Sequence, residues 1–362
     1  VLSQHFPELG GQANIQIPPI ANLILPGSSI LRIIIKTRGQ LMGEKMDRRK
    51  FIIQTGKASA AAAVFAGGYF ALDLKPDFPE EKQARAVSAD YRIPDRALDS
   101  KLAVAEGDDV RELGRKVVDS LGGMEKFISR DDRVVIKPNV AWDRTPEQAA
   151  TTNPELVAEL VSMAYAAGAS KVIVTDVTCH DPRRTFARSG IQEAAQKAGA
   201  EVIIPGEQDF VEVDIRGELL TAWPVLKYFI ETDKVINVPI VKAHSLSRMT
   251  IGLKNLYGII GGTRGQLHQK IHRSIVDLAT FLRPTLVVVD AYRVLMRNGP
   301  VGGSLDDVKS ARTVYATTDQ VAADAFGCQF LDLDPSDVGH ITLAEREGLG
   351  TADYKSKEII RS

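Results

Sequence analysis

The sequence predicts one large α/β domain with a mainly parallel, Rossmann-like sheet covered by helices on both faces. Three observations point there. Short apolar runs, RVVIK at 133–137, KVIVTD at 171–176 and TLVVVD at 285–290, lack in–out alternation and read as strands buried on both sides. Between the runs lie helix-length segments with apolar residues every three or four positions. Capping residues and glycine or proline stops separate the two kinds of segment.

Taken in order, Arg133 to Lys137 is a strand stopped by Pro138. Asn153-Pro154-Glu155 supplies an N-cap, an N1 proline and an early acid, after which Leu156, Leu160, Ala164 and Ala167 share a helix face until Gly168. Lys171 to Asp176 is a strand, Gly190 to Ala200 a helix, Glu201 to Pro205 a strand. Lys234 to Val241 is another strand, in which Pro239 predicts an edge position or a bulge. Gln266 to Leu282 reads as a helix on its Ile271, Ile275, Leu278 and Leu282 stripe, and Pro284 ends it before Thr285 to Asp290. Val314 to Thr318 is a strand, Asp319 caps a helix from Val321 to Leu331, and a last helix lies near Asp337 to Glu347. The alternation is βαβ, the pattern of a parallel sheet.

Composition excludes several function classes. The 362 residues carry 45 Lys+Arg against 46 Asp+Glu, a net charge of -1, so bulk charge does not recommend a nucleic-acid partner. Two cysteines, Cys179 and Cys328, cannot form a disulfide framework, a four-cysteine zinc site or a four-thiolate iron–sulfur cluster within one chain; whether they pair with each other is open.

The N-terminal region carries an export motif. Arg48-Arg49 followed by Phe51 and two isoleucines, then the Ala-rich stretch from Ala58 to Ala71, matches a twin-arginine (Tat) signal and its weakly hydrophobic core. The expectation is therefore a protein engaged by the Tat translocase and placed in the periplasm or another extracytoplasmic compartment, membrane-anchored if the signal is uncleaved. Residues 1–45 read as upstream sequence ahead of a start at Met46, with Gly43-Glu44 fitting a ribosome-binding site. Residues 46–89 are signal and spacer, and 90–362 form the domain, its core at 131–353.

Ligands of parallel sheets bind at the carboxyl ends of the strands, and here those ends are polar. Lys137 and Asn139 follow one strand, Asp176 with Cys179 and His180 another, Lys242 and His244 a third, Asp290 a fourth. Lys254 and Asn255 sit among glycines just beyond, and cations beside glycine-exposed amides suit a phosphate or carboxylate. The loop Asn298-Gly299-Pro300-Val301-Gly302-Gly303 is a second candidate anion loop, with Gly299, Gly302 and Gly303 as ligand contacts. His268 and His272 stand four apart on the expected helix and could share a divalent metal, with Asp176 and Asp290 as further ligands. Asp324 interrupts an apolar helix face and needs a partner. The expectation is one cavity holding Lys242, His244, Lys254, His268 and Asp324, with His244, Lys242 and Asp324 in acid–base roles.

The ordered set IKPNV, TTNPELV, AGASKVIVTD, DKVINVPIVKAHSLSRMTIGLKNLYGIIGG, LVVVDA, NGPVGG and TTDQVAADAFG, closed by AEREGLG, resembles the family catalogued as domain of unknown function 362. The resemblance implies an α/β domain with no assigned catalytic residues. Some relatives append a ferredoxin-type module, but this chain has no CxxCxxC run, so no intrinsic iron–sulfur cluster is expected. Two functions follow: an exported enzyme or binding protein for an anionic small molecule or a metal–anion pair, or a non-catalytic accessory protein of a redox system with a separate iron–sulfur or haem partner.

Overall fold

The computed structural model describes residues 84–362. The upstream segment, Arg48, Arg49, Phe51 and the Ala-rich stretch lie outside the described residues. Fifteen strands occur among the described residues: β1 Arg85–Ala86, β2 Ala89–Asp90, β3 Lys101–Glu106, β4 Arg133–Pro138, β5 Lys171–Thr175, β6 Glu201–Ile203, β7 Phe210–Asp214, β8 Ala222–Leu226, β9 Lys234–Val238, β10 Ile240–His244, β11 Arg248–Thr250, β12 Leu282–Arg283, β13 Leu286–Leu295, β14 Val308–Thr317 and β15 Glu358–Arg361. The α-helices are α1 Arg96–Asp99, α2 Val110–Ser120, α3 Pro154–Ala166, α4 Pro182–Arg188, α5 Ile191–Lys197, α6 Gly252–Asn255, α7 Ile271–Phe281, α8 Gln320–Gly327 and α9 Gly339–Arg346.

The main sheet runs β15-β3-β14-β13-β9-β4-β5-β6, with β10 and β11 joined to it through β13. From β13 to β6 every neighbour is parallel, whereas β14 is antiparallel to both β13 and β3. The sheet is thus α/β and mostly parallel, as the alternating elements predict. Successive residues of one strand enter opposite cores, because side chains alternate across a pleated sheet. Val134 and Ile136 of β4 join Leu156 and Leu160 of α3 on one face. Val135 joins Ile275 of α7, Val321 of α8 and Ile341 of α9 on the other. Each fully buried Val, Leu or Ile in these layers is worth about 1.5–3 kcal/mol.

Several boundaries differ from the sequence expectations. Pro239 does not mark an edge, since β9 is central; it separates β9 from β10, and the pairing of β10 with β13 shifts register just after it, between Ile240 and Lys242. The helix expected from Gln266 begins at Ile271, preceded by 3-10 turns over Arg264–Lys270. β13 runs past Asp290 to Leu295, and β14 starts at Val308 rather than Val314. Those added stretches are partly exposed at β14, so they carry no continuous apolar run. Within the stretch assigned to the spacer, Arg85–Ala86 pairs with β7 and Ala89–Asp90 with β12. Among the described residues no helix is long and apolar enough to cross a membrane.

Candidate functional site

The carboxyl ends of β4, β5 and β10, with α6 and the turns after it, enclose a cavity of about 280 Å³. Its floor is an ion pair. Lys137 Nζ lies 2.7 Å from Asp176 Oδ1, both side chains almost fully buried, and also donates to Asn255 Oδ1 at 3.1 Å. Asp176 Oδ2 accepts the Val140 amide at 2.6 Å. Burial lowers the proton affinity of Lys137, and the charge of Asp176 opposes that shift. Gly258 must be glycine here, since a Cβ would stand 1.7 Å from Asp176 Oδ1 and 2.6 Å from Lys137 Nζ. The pair is sealed by the backbone that passes over it.

Two further lysines form the wall. Lys242, on β10, donates to Asn139 Oδ1 at 2.9 Å and to the Ala150 carbonyl at 2.6 Å. Lys254, on α6, is 8% exposed and stands 3.4 Å over the Tyr257 ring, with no hydrogen bond or carboxylate partner among the described residues. Burial pulls both lysines down to about 7, and neighbouring cations pull the same way. Arg264, which the sequence reading missed, donates to the carbonyls of Val177, Thr178 and Tyr257 and fixes a fourth positive charge beside them. Its only sequence signal is its place in the turn-rich GGTRG stretch.

The two cavity histidines are different tautomers. His244 Nδ1 accepts the amides of Leu246 and Ser247 at 3.1 and 3.3 Å, so its proton resides on Nε2. Burial, then the charges of Lys254 and Lys242, push it down to about 3. A neutral ring with Nε2–H suits hydrogen-bond donation better than the acid–base role expected of it. His268 Nδ1 faces the Gly265 carbonyl at 3.3 Å, which places the proton there and leaves Nε2 an acceptor. Burial and Lys254 likewise lower its proton affinity.

Of the five residues expected in one cavity, Lys242, His244, Lys254 and His268 line it, and so do Lys137, Asn139, Asp176 and Asn255 from the other candidate positions. Asp324 does not. It is fully buried behind α6, where Oδ1 accepts the Leu253 amide at 3.2 Å and Oδ2 lies 3.5 Å from His340 Nε2. Burial raises its proton affinity, His340 opposing. It supports the turn that carries Lys254 rather than facing a ligand. His272 also points elsewhere, its Nδ1 3.3 Å from His340 Nδ1, because the change from 3-10 to α geometry at Ile271 breaks the expected four-residue register with His268. Asp290 is buried under α3, accepting the amides of Asn153 and Tyr292, and burial raises it to about 6. The expected metal set of Asp176, His268, His272 and Asp290 is therefore dispersed. Among the described residues no group of three or more His, Cys, Asp or Glu side chains could hold a metal ion.

The glycine loop contributes through its neighbours. Pro300 and Val301 line the cavity, whereas Gly299, Gly302 and Gly303 do not. Gly299 permits the approach, since a Cβ there would stand 1.9 Å from the Ala243 carbonyl oxygen. Arg144 and Gln148 hold the loop through the carbonyls of Val301, Gly302 and Gly303. Cys179, exposed at the cavity rim, and Trp142 also line it.

The chain is similar to the thylakoid-associated protein sll1697 of Synechocystis, 27% identical over 244 residues that cover 65% of this chain and 74% of that protein. Among solved structures it is similar to the lactate racemase apoprotein from Thermoanaerobacterium thermosaccharolyticum, with a TM-score of 0.40 and 14% identity over 67% of this chain. A Thermotoga maritima protein gives a TM-score of 0.33 and 10% identity, again over 67% of this chain. The chain spans 61% and 60% of those two structures respectively. A family model matches residues 134–329, more than half of the chain and every residue lining the cavity, and the chain belongs to the family described as domain of unknown function (DUF362).

Proposed function

We propose that the cavity binds an anionic small molecule through a phosphate or carboxylate group. The observation that carries this reading is Lys254, a buried residue on the cavity wall whose amine has no hydrogen-bond acceptor among the described residues, beside Lys242 and the fixed charge of Arg264. Buried ammonium groups are costly without a partner. An anion would supply one, since Asp176, the carboxylate in the lining, is already engaged by Lys137 and the Val140 amide. In this reading Lys254 and Arg264 hold the charge and His244 donates from Nε2. Lys242 adds its charge from the wall, and His268 presents Nε2 as a hydrogen-bond acceptor.

Calorimetric titration with inorganic phosphate, acetate and pyruvate at low ionic strength tests it. Binding should weaken roughly 10-fold or more in Lys254→Met, as loss of a charge-assisted hydrogen bond requires. It should also fall as pH rises above 7, where the two lysines lose their protons. No binding by any of the three, or equal binding by the variant, overturns the proposal.

The same protein is proposed to be a Tat cargo, on the Arg48-Arg49 motif. Replacing both arginines by lysine should leave the precursor in the cytoplasm in a fractionation experiment. Unchanged export of the double variant removes the assignment.

A further inference from the structure

The cavity contains a nucleophile that the anion reading does not use. Cys179 follows β5 and lies exposed at the rim, with its Sγ 3.9 Å from Arg264 Nη2. Its backbone is fixed: the Cys179 amide donates to the Ala141 carbonyl at 2.8 Å, and Arg264 grips the carbonyls of the two preceding residues. The unpartnered Lys254 amine provides the independent sign that a ligand belongs beside it. Cys328 offers the contrast. It is buried, with its Sγ 3.6 Å from Met249 Sδ, and burial pushes its thiol up to about 12.

We infer that Cys179 is the covalent attachment point of the cavity, its thiol adding to the electrophilic carbon of a small anionic aldehyde whose carboxylate or phosphate is held by Lys254 and Arg264. This rests on the anion reading above. In the addition an S–C bond forms, the carbonyl π pair moves to oxygen, and that oxygen takes the proton the thiol gives up. The product is a hemithioacetal, and no further reactant is required. The charged wall and the thiol then divide the work, one selecting for charge and the other for an electrophilic carbon.

Two alkylating agents that differ in charge test this on the whole protein. Iodoacetate and iodoacetamide both form an S–C bond and release iodide, but only iodoacetate is an anion. The ratio of their rates at Cys179, read by peptide mass spectrometry, should be roughly 10-fold or more higher in the native protein than in urea, because a cationic cleft raises the local concentration of anions. Inorganic phosphate should return the ratio to its value in urea, and Cys328 should stay unlabelled until the protein unfolds. If the native and unfolded ratios agree although phosphate binds, the covalent assignment fails and the anion site stands. If phosphate neither binds nor competes, both fail.

Discussion

Lys137 and Lys254 are both buried lysines of one cavity, yet they serve opposite ends. Lys137 has a carboxylate at 2.7 Å and two further acceptors in Pro138 and Asn255. Lys254 has an aromatic face and no acceptor among the described residues. The first is part of the framework, since the chain itself supplies its counter-charge and then closes over it at Gly258. The second has no counter-charge among the described residues, the role that the proposed anion would fill. Buried cations in a site therefore divide by what compensates them, and only the uncompensated ones point to a ligand.

The largest expected effect comes from breaking the compensated pair. Asp176→Asn should cost about 3–5 kcal/mol of stability, because it removes the charge opposite a buried ammonium and weakens the bond to the Val140 amide. Chemical denaturation measures it. A loss below about 1 kcal/mol would mean that Lys137 sheds its proton as readily as Lys254, and the distinction between the two lysines would disappear.

How much of this was legible follows from which residues announce themselves locally. Lys137, Lys242 and His244 sit at the ends of apolar runs, and a parallel sheet gathers such ends at one edge, so they could be grouped from sequence. Asp324 was visible as an anomaly on an apolar face, but periodicity does not tell whether a carboxylate faces a cavity or the back of its wall. The structure puts it behind α6 with His340. His268 and His272 misled because their spacing implies a shared face only inside a continuous α-helix, and the chain leaves that geometry before Ile271. The antiparallel half of the sheet was the least readable. β3 with α2 and the outer half of β14 were missed: the outer half of β14 is partly exposed and only tertiary pairing identifies it, whereas β3 is a short buried run, Leu102 to Ala105, whose two alanines give a weak strand signal.

The smaller effect sharpens the comparison from the uncompensated side, through the dependence of stability on pH. In the folded protein Lys254 titrates near 7, whereas an unfolded lysine titrates near 10.4. Between those values the unfolded chain holds a proton that the folded chain has released, so the contribution of Lys254 to stability grows as pH rises. It is fully present above the unfolded value and lost as pH falls through 7, with a slope of at most about 1.4 kcal/mol per pH unit. Lys254→Met deletes this contribution while keeping the side-chain volume. In anion-free buffer the variant should therefore melt higher than the native sequence at pH 7, and the difference should shrink steadily toward pH 10. Saturating phosphate should narrow the gap at pH 7, since the native sequence, the tighter binder, gains more of the ligand's stabilisation. A melting difference that stays constant from pH 7 to 10 would mean that Lys254 keeps its proton on folding. It would then have to be compensated within the chain, as Lys137 is.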